Sequence, residues 1–228
     1  SLSVVEEGLP AGVVAIPIRT RLVVRGDDLS ALVAGAVGGI ARAGDVVAIS
    51  ETALAIAQGR FVGAEYILPS RLAYALSRRA GAMATVSQPE SMQLVIDQVG
   101  VPRVLSAVAA HVLGRLRGRR GVFYERLGEA ISTIDGYTGT LPPYHQAIVF
   151  GPSEPDAFAV ACAERLGCGC AIVDVNDLRT AKILGASAGI DRDALGRALL
   201  GNPHGNADQQ TPIVVLKWRG DGANPLFT

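Results

Sequence analysis

Apolar positions recur along this chain with two periods, and the switches between them outline alternating strands and helices. Val13-Val14-Ala15-Ile16-Pro17-Ile18-Arg19 is a nearly unbroken apolar run with strand character, and Leu22-Val23-Val24 repeats the signal. Pro17 marks an edge or a break in pairing, because it has no N–H to give to a ladder. Leu29, Leu32, Val33, Ala36, Val37 and Ile40 then fall at helical spacing behind Asp27 or Asp28 as cap, with Gly44 after them. Asp45 to Ser50 reads as a second buried strand, so the chain opens in β-α-β order. Glu51 to Arg60 continues as a short helix stopped by Gly59. Ser70 caps a helix from Arg71 to Arg79, and Pro89-Glu90 opens one from Ser91 to Val99 that ends at Gly100.

Past that glycine the pattern weakens. Residues 103 to 120 are weakly apolar and close in Arg115-Leu116-Arg117-Gly118-Arg119-Arg120. Gly121 to Tyr124 resumes strand character, Ile131 to Gly136 alternates apolar and polar residues up to Asp135, and Leu141 to His145 reads as a loop. Ala147 to Phe150 is a strand, Pro155 to Leu166 a helix stopped by Gly167, and Cys170-Ala171-Ile172-Val173-Asp174-Val175-Asn176-Asp177 a buried strand, which makes a second βαβ-like unit. Lys182 is expected on the turn that follows. Asp191 caps a helix to Leu200 ended by Gly201, and the polar loop Gly201 to Pro212 leads into the strand Ile213 to Trp218. Gly220 to Thr228 reads as a frayed tail. The expected fold is α/β, in the mixed α+β sense, with two βαβ-like units.

Composition narrows the class. In 228 residues, 49% are hydrophobic and 18% charged, which suits a compact enzyme scaffold. Lys plus Arg and Asp plus Glu are 21 each, so no overall field favours nucleic acid or a membrane surface as partner. Cys162, Cys168 and Cys170 are an odd set, unsuited to a disulfide framework and short of the four Cys or His ligands of a structural zinc site; buried free thiols are the favoured reading. No apolar run approaches the ~20 residues of a membrane span. The start also lacks the layout of a signal peptide, so a cytoplasmic protein is expected.

The candidate chemistry gathers at strand ends. In open α/β sheets ligands collect beyond the carboxyl ends of the strands, and Mg²⁺ is held by one or two carboxylates plus substrate phosphates. Asp174 and Asp177 end an apolar run in this way, although Asx side chains also cap the turns they precede. Asp135 has the same local context, and Glu51 sits at a strand-to-helix junction. The Arg115–Arg120 cluster suits either a phosphate clamp or a solvated loop. His145 suits a surface position better than a catalytic one. Asp208 and Gln209 belong to the polar loop, whose groups suit hydrogen bonding to a polar ligand. No Walker, dinucleotide-fingerprint, nucleophile-elbow or zincin motif is present.

Gly44-Asp45-Val46-Val47-Ala48-Ile49-Ser50 running into Ala57-Gln58-Gly59-Arg60, with Ile16-Pro17-Ile18-Arg19, Gly26-Asp27-Asp28-Leu29 and Pro69-Ser70-Arg71-Leu72-Ala73, resembles the gamma-glutamyl ligases of coenzyme F420, which add L-glutamate to F420-0. The resemblance implies a GTP-dependent amide ligase using Mg²⁺ or Mn²⁺ and built as an intertwined homodimer. On it, residues 1–120 form a ligase-like region and 121–228 a metal-site region, or the two make one intertwined domain. By position Asp135 and Asp174 correspond to the family's metal-binding aspartates, with Asp177 and Asn176 beside Asp174. Ile16, Pro17, Ile18, Arg19, Ser50 and Glu51 fall where the family contacts nucleotide, and Asp208 and Gln209 join them as candidates. The chain departs from the family at Thr52 and Ile56, where lysines are common, and at Ile134-Asp135-Gly136-Tyr137-Thr138-Gly139, which replaces an asparagine-rich segment. A non-catalytic nucleotide- or metabolite-binding paralogue and a metal-dependent phosphate-ester hydrolase use the same residues and stand as alternatives.

Overall fold

The structure, a computed structural model, describes residues 4–6, 8–80, 85–119, 122–127, 134, 144–176, 180–201, 203–205 and 210–228. By contacts the chain divides into two compact units, one built from Ser1–Arg60 and Pro152–Thr228, the other from Phe61–Gly151. This partition is of a different kind from the motif-based division at residue 120, because the first unit is discontinuous in sequence. Strands are numbered along the chain: β1 (Val13–Ile18), β2 (Val46–Ser50), β3 (Phe61–Gly63), β4 (Ala147–Val149), β5 (Gly169–Asn176), β6 (Thr180–Ala186) and β7 (Ile213–Trp218).

The first unit holds a five-stranded sheet in the order β1-β7-β2-β5-β6. β7 is antiparallel to both β1 and β2, β2 is parallel to β5, and β5 and β6 form an antiparallel hairpin. The fold is therefore mixed α/β. β1 and β2 run the same way but β7 lies between them, and β4 pairs with β3 in a separate ladder rather than with β5. β7 takes a central place because Ile213, Val214, Val215 and Leu216 are all buried and so need neighbours on both faces. Pro17 lies on an edge strand, as expected. Ala15 exchanges backbone hydrogen bonds of 2.8 and 2.9 Å with Val5 on the outer side, so the missing N–H of Pro17, two residues on, also faces outward and costs the ladder nothing.

Among the described residues this sheet is accompanied by the helices α1 (Leu29–Val37), α2 (Glu51–Ala57), α7 (Pro155–Leu166) and α8 (Arg192–Leu199). Alternation puts Val46, Ala48, Ala171, Val173, Val214 and Leu216 on one face, where Leu195, Ala198 and Leu199 of α8 and Leu226 close the core. Val47, Ile49, Cys170 and Ile172 point the other way, toward the side where Cys162 of α7 meets Cys170. The caps read from sequence are present: Asp28 and Asp191 each accept from the backbone N–H three residues on, at 2.9 Å.

The second unit contains α3 (Arg71–Ser77), α4 (Pro89–Val99), α5 (Val101–Leu116) and α6 (Val122–Leu127), besides β3 and β4. Met92, Val95 and Ile96 of α4, Val104 and Ala107 of α5, and Phe123 and Leu127 of α6 share its core with Ile148. Among the described residues no single helix is long and apolar enough to cross a membrane; α4 and α5 pass that test together but are bent by 114°.

Three expectations are corrected, and one segment left without an element is assigned. Leu22–Val24 forms no strand, because Asp27 takes the Val24 N–H at 2.8 Å into a turn. The weak segment after residue 100 is the 16-residue helix α5. Val122-Phe123-Tyr124 opens a helix rather than a strand: Gly114 of α5 admits Val122, and an added Cβ there would lie 2.8 Å from Val122 Cγ2. The C-terminal tail is packed, not frayed, since Leu226 is fully buried, Asn224 Nδ2 donates to Gly44 O at 2.7 Å and Thr228 N to Gly189 O at 2.9 Å.

Candidate functional site at the carboxyl edge of the sheet

Two antiparallel steps bring β1 back parallel to β2, and β5 is parallel to β2, so the carboxyl ends of β1, β2 and β5 share one edge of the sheet. The last apolar row before that edge is Ile18, Ile213, Ile49 and Ile172, each registered with the next across β1, β7, β2 and β5 and all buried. Residues in register share a face. Two positions beyond Ile172 on the same face stands Asp174, and two beyond Ile49 stands Glu51, which begins α2.

Asp174 is registered directly opposite Lys182 of β6. Lys182 therefore sits in a strand, not on the expected turn, and Asp174 lies within a ladder rather than capping one. Burial pushes the Asp174 carboxyl above its ordinary range, and the opposing charge of Lys182 offsets only part of that. A half-buried carboxylate short of compensating charge fits the chemistry of an oxygen ligand for a hard cation. It is one donor: among the described residues no group of three or more His, Cys, Asp or Glu converges. Asp135, Asp177, Asp208 and Gln209 all lie outside the described residues.

The remaining nucleotide candidates divide by exposure. Ile16 and Ile18 are buried in the core, whereas Pro17 is partly exposed and Arg19 extends exposed past the end of β1. Ser50 precedes α2 without a side-chain capping bond, and its N–H donates to Pro212 O at 2.8 Å. Thr20 N donates to Gln210 O at 3.1 Å. The neck of the polar loop is thus tied to the backbone just beyond β1 and at the end of β2. Thr52 is half-buried and Ile56 buried, so α2 offers no cation at either place.

Sequence reasoning missed His204. It is buried within the neck of this loop: Nδ1 lies 3.2 Å from Thr211 O, the Thr211 hydroxyl donates to His204 O in a short hydrogen bond, and Nε2 has no partner among the described residues. Burial pulls its pKa down to about 4. No local pattern announces this, since the contact joins residues seven apart through a loop.

Elsewhere, Cys162, Cys168 and Cys170 are buried free thiols, as expected. Burial pushes Cys168 up to about 11, and the neighbouring Cys162 together with burial pushes Cys170 up as well, so neither is poised to react. In the second unit Arg115, Arg117 and Arg119 are exposed, with Arg119 3.3 Å from Glu125. Arg120 and the side chain of His145 lie outside those described.

A family model described as F420-0:gamma-glutamyl ligase matches residues 17–204, a span that runs from β1 to His204. No curated protein matches the chain.

Proposed function

Because this chain belongs to the F420-0:gamma-glutamyl ligase family, we propose that it is a nucleotide- and metal-dependent amide ligase that adds L-glutamate to coenzyme F420-0 or a related carboxylate acceptor, with GTP as nucleotide and Mg²⁺ or Mn²⁺ as metal. The family match over 17–204 carries this reading, since it takes in Arg19, Ser50, Glu51 and Asp174 together.

A carboxylate and an amine do not condense unaided in water. The acceptor carboxylate attacks the γ-phosphorus of the nucleotide, giving an acyl phosphate and the nucleoside diphosphate. The glutamate amine, having lost a proton, then attacks the acyl carbon, and phosphate leaves. Bound divalent metal supplies neutralisation of the charge that builds on the phosphoryl oxygens. Asp174 is the residue to hold it, with Asp135 and Asp177 completing the set. Arg19, beyond the end of β1, lends its exposed guanidinium to the nucleotide phosphates, and Pro17, Ser50, Glu51, Asp208 and Gln209 position the nucleotide. A homodimer belongs to the same reading. The exposed apolar residues Val101, Leu105, Val112 and Leu116, which recur at helical spacing along α5, support it.

Incubation with F420-0, L-glutamate, GTP and Mn²⁺ followed by mass spectrometry tests the proposal. A product heavier than F420-0 by one glutamate is expected; absence of that product over a full enzyme titration would refute it. The half-buried Thr52 and buried Ile56 favour one second reading, a paralogue that binds nucleotide without turnover. GTP binding with neither product nor phosphate release would select it.

A further inference from the structure

Resting on that reading, we infer that His204 is a positioning residue: its clasp on Thr211 sets the neck of the polar loop, and the neck sets the backbone from which Arg19 and Ser50 meet the nucleotide. A carbonyl oxygen only accepts, so the 3.2 Å contact with Thr211 O requires the proton on Nδ1. The Thr211 hydroxyl returns a hydrogen bond to the His204 carbonyl, so each side chain holds the other's backbone. Two residues seven apart are thereby closed into a ring at the base of the loop.

The positions flanking Thr211 do the coupling. Gln210 O accepts from Thr20 N at 3.1 Å, and Pro212 O accepts from Ser50 N at 2.8 Å. Thr20 directly follows Arg19, and Ser50 directly precedes Glu51. Gln210 is held at φ +52°, a left-handed conformation that a glutamine keeps only when its surroundings impose it. The clasp at the next residue and the hydrogen bond from Thr20 N to Gln210 O both bear on this position. Packing alone does not call for a histidine here. A buried Nε2 with no partner among the described residues disfavours the ring relative to an apolar side chain of similar size, so the directional Nδ1–H accounts for its use. Burial also keeps the ring neutral at neutral pH, which leaves a single proton on the pair of nitrogens and Nδ1 as its place.

The test combines hydrogen exchange with nucleotide affinity in the full chain. His204→Ala is expected to speed exchange of the Thr20 and Ser50 amides roughly tenfold. It is also expected to raise the KM for GTP about tenfold, with a smaller fall in kcat. His204→Asn, whose side-chain N–H stands near the place of Nδ1–H, should return both values most of the way to those of the unaltered protein. Since His204→Ala can fail to fold, Thr211→Val, which removes only the hydroxyl donor, is measured alongside and should shift both readouts in the same direction. The inference is overturned if a folded clasp variant leaves the Thr20 and Ser50 amides as protected as before, if the amides loosen while the affinity for GTP holds, or if His204→Asn behaves like His204→Ala. Failure of the unaltered protein to bind GTP refutes the proposed function instead, and the exchange readout still decides whether the clasp sets this edge.

Discussion

At the amino edge of the central sheet, Asp45 is 5% exposed and its charge is fully answered. Its carboxylate accepts from Arg42 N at 2.9 Å, from Lys217 Nζ at 2.7 Å and from Trp218 N at 3.4 Å, while Lys217 also donates to Ile40 O at 2.5 Å. At the carboxyl edge Asp174 is half-buried, burial raises its proton affinity, and the cross-strand Lys182 offsets only part of that. His204 on that side has a buried nitrogen with no partner among the described residues, and Gln210 keeps a left-handed backbone. Among the described residues, the Asp45 carboxylate is answered within the chain, whereas the Asp174 charge and the His204 ring are not fully satisfied. A buried or half-buried polar group left with spare charge or hydrogen-bonding capacity is a mark of a binding edge.

The contrast breaks most directly at the two aspartates. Asp174→Asn should lower ligase turnover by roughly a hundredfold or more, the scale of a lost charge-stabilising metal ligand, and abolish the rise in melting temperature that Mg²⁺ plus GTP gives the unaltered protein. The same variant should melt no lower than the unaltered protein in ligand-free buffer, because it removes a charge that burial disfavours. A drop in ligand-free melting temperature would mean that Asp174 is a structural residue like Asp45.

Asp45→Ala should do the reverse. It strands the largely buried Lys217 ammonium and is expected to cost about 3 kcal/mol, a fall of about 6–12 °C in melting temperature for a chain of this size, with the KM for GTP unchanged. A stability loss below about 1 kcal/mol would erase the distinction between the edges.

The pH dependence sharpens the comparison further. The folded chain holds His204 at about 4 against an ordinary value of 6.5, so the unfolded chain takes up that proton first. Stability is complete above pH 6.5 and is lost as pH falls toward 4, by about 2 kcal/mol at pH 5. Asp174, whose pKa is raised, acts in the opposite sense and gains stability as pH falls. Urea unfolding of His204→Asn at pH 7 and pH 5 should therefore show a smaller difference than the unaltered chain. The smallest effect expected is that of Asp191→Ala, which removes the cap of α8 and should cost about 1 kcal/mol without touching either edge.

Much of the first unit was legible before folding. Asp28 and Asp191 announced their helices because a cap is decided within three residues. Pro17 announced an edge because it cannot donate, whatever its neighbours are. The second unit was less legible. The runs in α5 and α6 carry Val, Phe and Tyr, which favour strands locally, and the burial of Val122 against Gly114 overrides that preference. At the site, Asp174 and Glu51 could be picked out as polar ends of apolar strands, whereas Lys182 and His204 could not, since their meaning lies in what they face.

The sequence by itself determined most of the strands and helices of the first unit, β6 excepted, where most of them begin, and which residues close an apolar strand with a carboxylate. Those outcomes depend on neighbours within a turn or on a period of two or 3.6 residues. Only the tertiary structure decided that the last strand enters between the first two, that the tail seals the core through Leu226, and that Lys217 answers Asp45 across 172 positions. It alone placed Lys182 opposite Asp174 and let Thr211 hold His204. Register and long-range closure follow from burying every apolar face at once, and no short window of residues contains that condition.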